Sequence, residues 1–188
     1  MKQLYVAELI SQAVDGTALT ASTTPTSILH VTGKKTIQPN DLKVGDRLTI
    51  DAHGRVSNII TTPGTLTLEV RLGPASAIAV ASSGAMALNI VAKTNVPWQL
   101  HWELELRAVG SGTSANFMHQ GHWISESVIG AALPSAGGAG VHLLPNAAPG
   151  VGTGFDSTGL NLLDLFATWS LNNANSITLH GYRVFLEN

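Results

Sequence analysis

Residues 98–107 alternate without a fault: Trp98, Leu100, Trp102, Leu104 and Leu106 are apolar, and Gln99, His101, Glu103, Glu105 and Arg107 are polar. A helix would return its apolar residues at intervals of three and four, so this run predicts an extended strand with one face on a core. Residues 65–72 repeat the pattern, with Leu66, Leu68, Val70 and Leu72 on one face. Strands with one buried and one outward face belong to antiparallel sheets.

Shorter apolar runs predict further strands at 26–31, 47–52, 55–60, 77–81, 85–91, 115–124, 162–170 and 176–186. His53-Gly54 is expected to turn the chain between two of them, and Pro63-Gly64 suits a turn before Leu66. In the last strand the apolar phase changes from odd (Ile177, Leu179) to even (Val184, Leu186), and Gly181 between them predicts a bulge. Residues 4–11 read equally as a short helix or a strand, and 41–46 as a turn. No period of 20 to 50 residues recurs, which disfavours solenoids and propellers. The expectation is an all-β fold, an antiparallel two-sheet jelly-roll sandwich, as a single domain over 1–188. Residues 1–24 are a candidate N-terminal arm.

Charge is sparse: 10 Lys and Arg and 12 Asp and Glu in 188 residues, 12% of the chain. Without a cluster of positive charge, direct binding to nucleic acid is not expected. The absence of cysteine excludes disulfides, thiolate metal sites and thiol nucleophiles. The N-terminus has no signal-peptide core, since Glu8, Ser11, Gln12 and Asp15 interrupt its apolar residues. No uninterrupted apolar run suggests a membrane span, because Gly73, Pro74, Gly84 and Asn89 punctuate the uncharged stretch 72–92.

Residues 127–155 break the strand pattern. They contain no Asp, Glu, Lys or Arg, are rich in glycine and alanine, and still carry Val141, Leu143 and Leu144. A long Gly/Ala-rich loop is expected here, and exposed loops usually keep charge for solubility. Packing against a neighbouring subunit and a mobile flap are the two expectations for this segment. The candidate oligomer or capsid interface is Ala131, Ala132, Val141, Leu143 and Leu144.

Residues able to carry chemistry are isolated. His119 and His122 are three apart, which on a regular strand points them to opposite faces, so no metal site is expected. Ser111, between Gly110 and Gly112, is better placed to close a hairpin than to act as a nucleophile. Glu103 and Glu105 superficially suggest a glycosidase pair, but they read as outward members of a strand, with His101 and Arg107 completing the row. The Gly150, Gly152, Gly154 spacing lacks the strand and helix that a phosphate loop needs. Trp98 and Trp102 belong to the core; Trp123 and Trp169 are expected there too, with sugar stacking as the alternative. The chain is accordingly read as no enzyme, with no cofactor.

A resemblance is carried by Leu19-Thr20-Ala21-Ser22-Thr23-Thr24-Pro25-Thr26-Ser27, Val44-Gly45-Asp46-Arg47-Leu48, Gly54-Arg55-Val56-Ser57-Asn58-Ile59 and Thr62-Pro63-Gly64-Thr65-Leu66-Thr67-Leu68. Phe155-Asp156-Ser157-Thr158, Trp169-Ser170 and Asn175-Ser176-Ile177-Thr178 continue it. With these segments the chain resembles small virion structural proteins of tailed bacteriophages, of the minor capsid, cement or decoration type. The resemblance spans most of the chain through strand and turn signatures. It implies a jelly-roll subunit on the capsid exterior, made in the host bacterial cytoplasm. The implied partners are the major capsid protein and further copies of itself, as a homotrimer or homodimer. A fibre or adhesin module recognising host glycans is the alternative.

Overall fold

In the computed structural model, which describes residues 5–128 and 140–188, the chain is an antiparallel β-sandwich of jelly-roll type. Its strands in chain order are β1 (Val6–Gln12), β2 (Leu19–Thr20), β3 (Thr26–Ser27), β4 (Lys35–Ile37), β5 (Arg47–Asn58), β6 (Thr65–Leu72) and β7 (Ile78–Ser82). β8 (Met86–Ala87), β9 (Lys93–Ala108), β10 (Asn116–Ser125), β11 (Val141–Leu144), β12 (Asn161–Trp169) and β13 (Ser176–Glu187) follow. One sheet has the order β1-β13-β5-β9-β10-β11, with β2 also on β13; the other runs β3-β12-β6-β7, with β4 on β12 and β8 on β6.

The two runs of strict alternation form central strands, and their apolar residues line the space between the sheets. Trp98, Leu100, Trp102, Leu104 and Leu106 of β9 are buried, as are Leu66, Leu68, Val70 and Leu72 of β6. Aromatic rings pair within this core: Trp98 stacks on Trp123 with centroids 4.7 Å apart and planes 15° from parallel, and Phe117 stacks on Phe155 at 5.3 Å. Such pairs add roughly 0.5–1.5 kcal/mol to what their burial contributes.

Three expectations need correction. The strands predicted at 47–52 and 55–60 are one strand, β5, and His53-Gly54 is no turn. Burial continues through Leu48, Ile50, Ala52, Gly54 and Val56, so Gly54 occupies an inward strand position. Glycine is needed there for space, because a Cβ would come within 2.0 Å of the Thr178 carbonyl oxygen on β13. The strand predicted at 26–31 shortens to Thr26–Ser27, with a 3-10 turn at Val31–Gly33 that His30 caps by accepting the Thr32 N–H. The strand predicted at 85–91 shortens to Met86–Ala87.

In the last strand, pattern and structure agree. The register of β13 against β5 slips between Leu179 and Gly181, where the apolar phase changes. A side chain at 181 would meet the His53 ring, with Cε1 2.2 Å from the added Cβ. Of residues 5–24, the described part of the candidate arm, β1 and β2 pair with β13 of the large sheet, and the Ser22 carbonyl accepts the Trp169 N–H of β12. Within the expected long loop, Val141–Leu144 forms β11, and bridges join Leu88 to Val128, Met118 to Val151 and Ala115 to Phe155.

Candidate functional site

The outer face of the large sheet carries the odd-numbered side chains of β5, β9 and β11, the even-numbered ones of β10 and, beyond the slip at Gly181, the odd-numbered ones of β13. The register then aligns residues far apart in sequence. Arg183 lies opposite Asp51, Asp51 opposite His101, His101 opposite His122, and His122 opposite Leu143. With strands about 4.8 Å apart, this row crosses about 19 Å of sheet. Beside it run Thr49, Glu103 and Gln120 on one flank, and His53, Gln99, Ile124 and Val141 on the other.

The face is hollowed along this row. A cavity of about 460 Å³ has His101, Glu103, Gln120 and His122 in its lining, with Leu143, Pro145, Ala147 and Pro149 beside them. It shares His101 and His122 with a smaller depression of about 200 Å³ over Asp51, His53 and Gln99. A third, of about 590 Å³, shares Asp51 and His53 and reaches His180 and Arg183. Adjoining through these shared residues, the three line up as a trough across the five strands.

Hydrogen bonding fixes part of this surface and leaves part free. His101 Nδ1 lies 2.7 Å from Asp51 Oδ1, so in the neutral ring Nδ1–H donates to the carboxylate and Nε2 is left as an acceptor. Nε2 is 3.6 Å from Glu103 Oε1, and Glu103 is in turn 3.6 Å from an Arg47 nitrogen. Arg47 also donates to Glu187, and this hydrogen bond raises its pKa above the ordinary arginine value. The His122 ring lies 5.4 Å from that of His101, tilted by 30°. Among the described residues, the side chains of Gln99, Gln120, His122 and Arg183 have no hydrogen-bond or ion-pair partner.

The proposed interface residues fall in different places. Ala131 and Ala132 lie outside the described residues. Val141 and Leu143 are 53% and 74% exposed on β11, the last strand in the sheet order, beside Ile124 of β10. Leu144 is not available as surface: β11 alternates like any strand, and this residue turns into the core at 3% exposure.

The sugar-stacking alternative for Trp123 and Trp169 is also overturned. Both are buried, at 0% and 1% exposure, and Trp169 donates its indole N–H to the Leu19 carbonyl at 3.4 Å. His119 and His122 do point to opposite faces. His119 is buried and its Nδ1 accepts from Trp102 Nε1 at 3.2 Å, while burial lowers its pKa. No group of three or more metal-ligating side chains is present among the described residues. Ser111 lies in the turn between β9 and β10, and Glu105 pairs with Arg107 at 3.3 Å on the outer face.

Fold and site thus define a two-sheet antiparallel sandwich with a polar trough across one outer face and an uncharged strand at the trough's end. No protein-family model matches the chain, and no curated protein matches it. Among solved structures it is similar to the CBM2 module of the evolved Dit of Lactobacillus casei BL23 phage J-1, at 13% identity and a TM-score of 0.32, covering 82% of this chain and 68% of that one. At this distance the functional reading rests on the chain's own residues.

Proposed function

We propose that the chain is a non-enzymatic structural protein of a tailed-bacteriophage virion, a decoration or cement protein on the capsid exterior. Subunits associate as homotrimers or homodimers and bridge neighbouring capsomers through the major capsid protein. The carrying observation is the exposure of Val141 and Leu143 on β11, inside a 29-residue stretch without formal charge, next to Ile124. An uncharged contact of this kind loses little hydration when covered, and symmetry multiplies a modest gain over many copies.

The resemblance of the strand and turn segments to small virion proteins supports the same reading. So does the placement of charge on the large sheet, where Arg47, Glu103, Glu187, Glu105 and Arg107 are satisfied by one another. The test is addition of purified protein to particles that lack it, with sedimentation of both the free protein and the mixture. The reading expects an oligomer in solution or on the particle, and saturable particle binding weakened by Leu143→Lys. A monomer that ignores such particles sinks it.

A further inference from the structure

We propose that the trough across the outer face of the large sheet binds a neutral oligosaccharide. This goes beyond the decoration role and does not depend on it, because it concerns the isolated subunit.

The chemistry of the trough selects the ligand class. Donors and acceptors alternate along it: the amides of Gln99 and Gln120 offer both, His122 offers one of each, Glu103 and Asp51 accept, and Arg183 donates. The partnerless members are available to a ligand without breaking a bond within the described fold. An anion would meet the carboxylates of Asp51 and Glu103. A metal cation lacks a three-ligand group, and Arg183 and Arg47 flank the row. An apolar ligand would strip water from the amides and carboxylates and return nothing.

A hydroxyl is donor and acceptor at once, and vicinal hydroxyls match amides and carboxylates without requiring net charge. The C–H face of a sugar ring also needs an apolar partner, which Leu143, Pro145 and Pro149 provide along one side. Length gives the last constraint. A row of about 19 Å, crossing five strands, accommodates a chain of rings better than one ring. Gly181 helps keep the trough open at His53, since any side chain there would displace that ring.

The test is a titration of the intact isotope-labelled chain with cellotetraose, maltotetraose and the N-acetylglucosamine tetramer, with sialyllactose and inorganic phosphate as charged comparators. At least one neutral probe is expected to move the side-chain amide signals of Gln99 and Gln120 and the imidazole signals of His122. The double substitution Gln120→Ala with His122→Ala is expected to weaken that binding at least about tenfold, with the thermal midpoint unchanged. The proposal is overturned if no neutral probe moves these signals at millimolar concentration, if only a charged comparator does, or if the double variant binds as tightly. Particle binding is read separately, so failure here leaves the decoration reading standing, and the reverse holds.

Discussion

Replacing Trp123 by alanine separates a core role from a ligand-binding one. The ring is fully buried and stacks on Trp98 at 4.7 Å, so the substitution removes a large apolar volume and one aromatic pair. Truncation of a buried tryptophan costs about 3–5 kcal/mol, and loss of the stack keeps this site clear of the lower end. At about 4 kcal/mol, a domain of this size should melt about 8–16 °C lower. Trp123→Phe should cost far less, about 1–2 kcal/mol, because the indole N–H has no partner among the described residues and its removal breaks no bond. The assay is thermal and urea unfolding followed by circular dichroism, at matched protein concentrations so that association does not shift the midpoint. A Trp123→Ala protein that melts with the parent would refute the placement of this ring in the core and reopen sugar stacking.

Four further outcomes are expected. Burial holds the pKa of His119 and of His142 below the ordinary histidine value, so the unfolded chain takes up more protons as pH falls below about 6.5. Stability should therefore hold above that pH and decline below it toward the folded-state values, and His119→Gln should flatten the decline in urea midpoints measured across the range. Gly54→Val should cost about 3 kcal/mol or prevent folding, because its Cβ meets backbone rather than a movable side chain; a variant as stable as the parent in urea would contradict the close approach of β5 and β13. Asn58 donates to the carbonyls of Ile59, Asn89 and Val91 and accepts from the Ser127 hydroxyl, so Asn58→Ala should cost about 3 kcal/mol and raise hydrogen exchange at residues 88–91. Leu144→Ala should lower the melting temperature while leaving association intact, and Leu143→Lys should do the opposite in sedimentation and melting experiments.

Much of the fold is written in period two. The alternation at 65–72 and 98–107 matches β6 and the outer and inner faces of β9, and the phase change near Gly181 marks a real slip of register. The error at His53-Gly54 has a definite origin: a glycine can serve positive φ or close approach, and only the neighbouring strand reveals which. Gly54 serves close approach to Thr178, whose distance in sequence hides it. The same limit conceals the trough. Asp51, His101, His122 and Arg183 are each readable as outward residues of a strand, yet their alignment depends on the pairing register of β9 with β10 and of β5 with the distant β9 and β13, which no local pattern carries. His119 was readable as inward-facing by parity with Phe117 and Trp123, but its acceptance of the Trp102 N–H depends on the β9–β10 register.

The central proposal is that this sandwich is mounted on the outside of a phage head through uncharged surface. Electron cryomicroscopy of phage particles to which the protein is bound would test this most directly. Density for the sandwich is expected at junctions between capsomers, with Val141 and Leu143 covered by a neighbouring subunit or by the shell. Density confined to tail or fibre, or head density with both side chains exposed, would contradict it.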